Sequence, residues 1–323
     1  MAHELASSND MAFVGDTPWH GLGNKLPKNQ PIEVWQKSAG MDFEIKQTEV
    51  LFNAGNANGN MLNLRSNPDA TVLYRSDNSE PLSVVSKRYK VVQPKDVLSF
   101  YSNLVSVGGF ELETAGVLKG GKKLWALAKT GQETILAGGD KVKAYLLLAT
   151  SCDGSLATTA QFTSVRVVCN NTLQMAVGVS KGAVRVSHST TFDPVAVKQE
   201  LGLGMSAWDV FMANIKELSN RPVNKFEAMS HLLNVMGDPA LPLNEQPNQK
   251  AIQTVYGLYS GEGKGSKLQS AAGTAWGLVN GVTEFVDTHR RARNQDYRLD
   301  SAWFGAGAQI KLKAFEEAMA LAT

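Results

Sequence analysis

The chain has 323 residues, 43% hydrophobic and 19% charged, a globular balance that excludes the disordered and fibrous classes. With a formal net charge of +2, the whole molecule is not a strongly basic tail-type binder. The charge is uneven, however: between Val85 and Arg185 thirteen Lys and Arg stand against six Asp and Glu, a local excess that attracts phosphates if it gathers on one face, or that merely solvates a sheet edge.

Residues 1 to 31 read as loop-rich, with a compact turn around Trp19 and His20 permitted by Gly21 and Gly23. Ile32 to Ala39 reads as a short helix. From Asp42 the apolar period shifts toward two. Phe43, Ile45 and Val50 to Phe52 then read as strand, Asn53 to Asn60 as a turn, and Met61 to Arg65 and Thr71 to Arg75 as strands parted by Asn67, Pro68 and Asp69. Leu82 to Ser86 and Tyr89 to Val92 are short extended pieces. Pro94, at a first helical position, opens a helix striped by Val97, Leu98, Tyr101, Leu104 and Val105 and ended by Gly108 and Gly109. Two hairpins follow. Phe110 to Leu118 and Lys122 to Lys129 join through Lys119, Gly120 and Gly121; Tyr145 to Ser151 and Leu156 to Phe162 turn at Asp153 and Gly154. Val165 to Cys169 is strand-like, and Asn170, Asn171 and Thr172 are placed to cap a short helix through Ala176. Val184 to Ser187 is a last strand.

Asp193 and Pro194 start a long helix striped by Val197, Leu201, Met205, Trp208, Phe211, Met212 and Ile215. Further helices are predicted over Lys225 to Met236, Gln249 to Tyr259, Thr274 to Arg291 and Ser301 to Leu321. Strands first and helices second indicate an α+β fold: an antiparallel sheet with a packed helix, then a mostly helical part. A boundary near residue 190 divides a β-rich core, residues 1–190, from a helical region, residues 191–323, which either packs on the core or mediates oligomerisation.

Few motifs carry chemistry. Cys152 and Cys169 are the only cysteines and form no CxxC, which suits a reducing compartment. No secretory leader and no membrane-length apolar run are legible, so a cytoplasmic protein is expected. The five histidines form no metal-binding spacing, and no metal or cofactor is implied. Gly116 to Lys123 nearly matches a phosphate-binding Walker loop, but Lys123 stands where magnesium needs Ser or Thr, and a strand pattern follows where a helix is required. A basic hairpin tip presenting Lys119, Lys122 and Lys123 to phosphate is the better reading. Arg166, Asn170 and Asn171 surround an apolar run at a strand-to-helix junction, where a guanidinium and a helix N-terminus together hold an anion, or simply cap a turn. Cys169 becomes a nucleophile only with a base such as His188 nearby; a buried cysteine is the plainer reading. Gly261 to Lys267 reads as a flexible linker, or as a segment that orders on a nucleic acid or a neighbouring subunit. Arg290, Arg291 and Arg293 close a helix where cations suit its dipole, or meet phosphate or a subunit.

Three segments together resemble the phage/plasmid-like protein family, a domain-of-unknown-function family: Pro18 to Gly23, Phe162 to Leu173, and Thr274 to Asp287. The resemblance implies a mobile-element setting and the host-cell cytoplasm, and it transfers no catalytic residues. At fold level the organisation also resembles single-strand annealing proteins of the Red-beta and RecT class. The expected function is single-stranded DNA binding and annealing in recombination, replication or repair, by a homo-oligomeric ring or filament. Lys119, Lys122, Lys123, Arg166 and Arg185 line the expected groove, Lys87, Arg88 and Lys181 extend it, Asn170 and Asn171 contribute at the junction, and Tyr89 or Trp125 stacks bases. The alternatives are a non-enzymatic factor that binds a host or phage protein, and a nucleotide-processing enzyme using Glu111, Glu113 or Asp153.

Overall fold

A computed structural model describes residues 10–15, 23–55, 62–108, 110–166, 168, 171–174, 183–202 and 206–322. The expected turn at Trp19 and His20, most of the Asn53–Asn60 turn, Cys169, Asn170 and Lys181 lie outside the described residues.

The main sheet grows from the hairpins legible in the sequence. Strands β6 (Glu111–Leu118), β7 (Lys123–Leu136), β8 (Asp140–Ser151) and β9 (Thr158–Arg166) form an antiparallel meander. Along the far edge of β9, β10 (Asn171–Gln174) and β11 (Ala183–Val186) pair with different stretches of the same strand. At the other edge, β1 (Met11–Val14) pairs antiparallel with β6, and β2 (Asn24–Leu26) lies parallel to β1. Two expectations are corrected here. The loop-rich N-terminal reading gives way to strand at Met11–Val14, whose partner, Thr114–Gly116, lies a hundred residues away. The helix expected after Asn170 is strand β10: Thr172 pairs with Val165 and Leu173 with Ser164, so tertiary pairing overrides the capping signal.

A second sheet runs β3 (Ile45–Asn53), β4 (Leu64–Arg75) and β5 (Pro81–Ser86). The two strands expected on either side of Pro68 are one. The chain bulges there, between the Thr71 and Asn67 pairings, and the Asn67 side chain accepts from the Asp69 amide at 2.9 Å. A bulge is where a strand accommodates the missing proline N–H. Only Ala70 to Tyr74 of β4 meet β5, so the β3–β4 pair extends beyond the sheet as a two-stranded arm. Leu51, Phe52, Leu62 and Leu64 on this arm are all more than half exposed.

Alternation along the central strands buries the main sheet on both faces. Leu124, Ala126 and Ala128 of β7 join one apolar cluster; Trp125 and Leu127 join another. The first face is covered by α1 (Ile32–Ser38) and α2 (Pro94–Gly108). The α2 hydroxyl of Tyr101 donates to the carbonyls of Ala126, at 2.8 Å, and Leu146, at 3.0 Å, of two neighbouring strands. The same cluster takes in α3 (Pro194–Gly202), α4 (Ser206–Asn220), α7 (Ala275–Glu284) and α9 (Ala306–Ala322) through Val197, Phe211, Ile215, Trp276, Val279 and Phe315. The helices beyond residue 190 therefore share one core with the sheet. Helix α8 (Gln295–Phe304) packs on the opposite face through Leu299, Trp303 and Phe304. Gly305 separates α8 from α9, so the single helix expected from Ser301 is two. A smaller cluster joins α5 (Lys225–Met236), α6 (Gln249–Gly257) and α9. α5 is capped by a capping box, Asn224 with Glu227.

Candidate nucleic-acid interface

The expected cationic groove separates into two unlike groups. At the β6–β7 turn, Lys119, Gly120 and Gly121 all take positive φ, so the tip curls tightly. Its lysines are occupied from α8. The Asp300 carboxylate bridges the ammonium groups of Lys119, at 2.5 Å, and Lys123, and the Lys119 amide donates to Asp296 at 2.6 Å. Lys123 is 4% exposed. The Lys119 ammonium also lies over the Tyr297 ring, 4.8 Å from its centroid. Burial raises the Asp296 carboxyl above its ordinary value, and the neighbouring Asp10 and Asp300 add to the shift. The tip is thus an internal clasp, which corrects the reading of Lys119 and Lys123 as free phosphate ligands. Lys122 is half-buried, and its carbonyl accepts the Cys152 amide at 2.7 Å.

Arg166 is corrected more sharply. It is 2% exposed, and its Nε lies 2.8 and 2.9 Å from the two oxygens of Asp140, itself fully buried. Asp140 further accepts from Ser270, at 2.6 Å, and from the Trp276 indole, at 3.3 Å. Arg166 reaches on to the Gly265 carbonyl at 3.0 Å. This network fastens the sheet to the segment before α7 and holds the glycine-rich stretch that the sequence presented as a linker. The same stretch is anchored again where the Lys264 amide donates to Glu284 at 2.9 Å. Asn171 falls in β10, opposite Arg166. Trp125 is 2% exposed and packs edge-on against Trp303, with ring centroids 4.9 Å apart, so it offers no stacking face to a base. Of the enzymatic candidates, Glu113 is paired with Lys129 at 2.5 Å, and a bulge at Glu113 breaks the alternation that would line it up with Glu111.

The second group converges. Lys87, Arg88, Lys90 and Arg185 are exposed and, among the described residues, enter no ion pair. They surround a stacked pair, Tyr89 and His188, whose rings lie 4.4 Å apart at 15°. β11 places Arg185 outward and Val184 inward, and the chain leaving β11 brings His188 against the β5–α2 loop. The stack is fixed on every side. His188 Nε2 lies 2.9 Å from the Leu156 carbonyl and Nδ1 3.2 Å from that of Lys90, while the Lys90 amide donates to the His188 carbonyl at 2.6 Å. The Tyr89 hydroxyl donates to the Ser151 carbonyl at 2.6 Å. Burial raises the Tyr89 phenol, so it stays a neutral donor.

Two open clefts meet at this stack, each of about 630 Å³. One lies between Arg88 and Arg185 and is edged by Ser86, Ser187, Ser189 and Gly154. The other holds Lys87, Lys90, Gln47 and Phe192. Asp96 lines the second cleft, and Asp153 precedes Gly154 of the first, its charge acting on the Tyr89 phenol. Burial opposes its charge, but hydrogen bonds from Ser155 and Ser151 and the nearby Lys123 hold its carboxyl below the ordinary value. The Asp153 carboxylate accepts from the Ser155 amide at 3.0 Å within its own turn. Sequence reasoning picked out Lys87, Arg88, Tyr89 and Arg185. It missed His188 as their organiser and Asp296 and Asp300 as the groups that neutralise the hairpin tip.

Fold and site together define a mixed α/β protein with a sheet buried on both faces and an aromatic, cationic double cleft at the β5–α2 and β11–α3 loops. The chain belongs to the family described as Domain of unknown function (DUF932), whose model matches residues 81–303. That span holds every lining residue of the first cleft and all but Gln47 of the second, and it crosses position 190. No curated protein and no solved structure matches the chain. No helix among the described residues is long and apolar enough to cross a membrane.

Proposed function

We propose that the chain binds and anneals single-stranded DNA for a phage or plasmid, in the cytoplasm of the host, during recombination, replication or repair. The supporting observation is the convergence on a rigid Tyr89–His188 stack of four cations that enter no ion pair among the described residues. Cations that track a backbone beside an aromatic platform form the recurrent chemistry of single-strand binding. The mobile-element setting rests on the resemblance of the Pro18, Phe162 and Thr274 segments described above. The interface is smaller than the sequence suggested and is centred on Lys87, Arg88 and Arg185. An anisotropy titration with a labelled single strand tests the reading. Binding that is tight in low salt and falls steeply as salt rises is expected; failure to bind at low salt overturns it.

The exposed apolar arm favours a second reading, association with protein. Leu51, Phe52, Leu62 and Leu64 form the sort of surface that a partner covers. A second copy of this chain is the partner that a ring or filament requires, and a host or phage protein is the alternative.

A further inference from the structure

We propose that the cleft between Arg88 and Arg185 is a phosphate-monoester subsite, which takes the terminal phosphate of a nucleic-acid strand. The inference rests on the nucleic-acid reading and adds the ligand class of one half of the site. A phosphodiester within a strand offers two free oxygens and one negative charge. A terminal monoester offers three strongly accepting oxygens and a charge near −2. The cleft supplies donors for the latter. Arg88 of the β5–α2 loop and Arg185 of β11 both line it, together with Ser86, Ser187 and Ser189. A guanidinium is a planar fork that binds two oxygens at once.

The surroundings fit an end rather than a midpoint of the strand. The Tyr89–His188 stack divides this cleft from its neighbour, and its ties to Ser151, Leu156 and Lys90 make the divider rigid. The neighbouring cleft differs in character: Lys87 and Lys90 are its cations, and Phe192 and Gln47 add apolar and amide surface suited to the next nucleoside. Asp153, next to the lining residue Gly154 and close enough to act on the Tyr89 phenol, opposes an anion there. Its presence makes both arginines necessary and gives the site a sensitive control.

The test measures binding of one short oligonucleotide in three forms, 5′-phosphorylated, 3′-phosphorylated and unphosphorylated, with inorganic phosphate as a fourth probe. One phosphorylated form is expected to bind about tenfold more tightly than the unphosphorylated strand. Arg88→Ala and Arg185→Ala each remove that advantage, and Asp153→Asn enlarges it. Lys87→Ala, which alters the other cleft, weakens all three strands alike. Both arginines are exposed, so circular dichroism of these variants should match the parent. Equal binding of the three forms overturns the subsite and leaves the single-strand reading intact. Binding of inorganic phosphate alone, lost in Arg88→Ala, keeps the phosphate site and removes the strand. No binding of any probe removes both.

Discussion

Acid stability isolates a single buried group, His231 on α5. The residue is 2% exposed, and neither ring nitrogen has a hydrogen-bond partner among the described residues. Burial lowers its imidazole from 6.5 to about 4. The unfolded chain therefore takes up this proton first. Stability at His231 is intact above pH 6.5, declines as the pH falls below that value, and is fully lost once the pH is under about 4. A shift of that size amounts to about 3 kcal/mol at full effect, and roughly 2 kcal/mol of it has gone by pH 5. His231→Leu removes the titration and the two buried nitrogens together. Urea unfolding of parent and variant at pH 7.5 and pH 5 gives the comparison, since every other titrating group cancels in the difference of differences. The variant should gain about 2 kcal/mol on the parent between the two pH values. Parallel losses of stability in the two proteins would refute the reasoning.

The remaining predictions concern packing and the arm. Asp140→Ala strands the Arg166 guanidinium in the core and should cost about 3–5 kcal/mol in denaturant titration; replacing both residues with apolar side chains should recover much of that loss. Asp300→Ala releases Lys119 and the buried Lys123 and should cost about 2 kcal/mol, while strengthening low-salt binding to single strands through the freed cations. Gly265 has φ +70°, and a Cβ there would stand 2.6 Å from Val168 Cγ1, so Gly265→Ala should cost more than about 1 kcal/mol. Changing Leu51, Phe52, Leu62 and Leu64 together to Ser should leave unfolding midpoints nearly unchanged but reduce the assembly size read by mass photometry; an unchanged size distribution removes the arm from self-association.

Much of the fold is local enough to read from the chain. α5 spans Lys225–Met236 as its sequence indicates, and α1 and the start of α2 also lie where the sequence places them. The β6–β7 and β8–β9 hairpins follow their turns. What escaped reading depends on distant partners. β1 is strand because β6 accepts it, and β10 is strand because β9 does, each against a local signal. Pro68 resembled a break because the bulge that accommodates it exists only in the paired state. The site shows the same division. Arg88, Tyr89 and Arg185 stand out as residue types, yet nothing local reveals that His188 will stack on a tyrosine 99 positions earlier. Equally, Lys119 and Lys123 look free until α8 arrives with Asp296 and Asp300, an i,i+4 carboxylate pair on a helix expected to begin only at Ser301.

The mechanism that emerges is one of positioning. The doubly buried sheet fixes the β8–β9 turn and β11. The carbonyls of Ser151, Leu156 and Lys90 fix Tyr89 and His188, and Arg88 and Arg185 line the open cleft beside that stack. The acidic clasp of α8 occupies Lys119 and Lys123 at the β6–β7 turn, which lies at the same end of the sheet as the clefts, and leaves phosphate contact to the cations of the β5–α2 loop and β11.

The most direct measurement is the salt dependence of single-strand affinity for the parent and for the Arg88→Ala, Arg185→Ala double variant. If the two guanidiniums meet phosphates, the slope of log affinity against log salt shrinks by about 1.4, near 0.7 per contact on a single strand. An unchanged slope with unchanged affinity would place phosphate recognition elsewhere on the molecule.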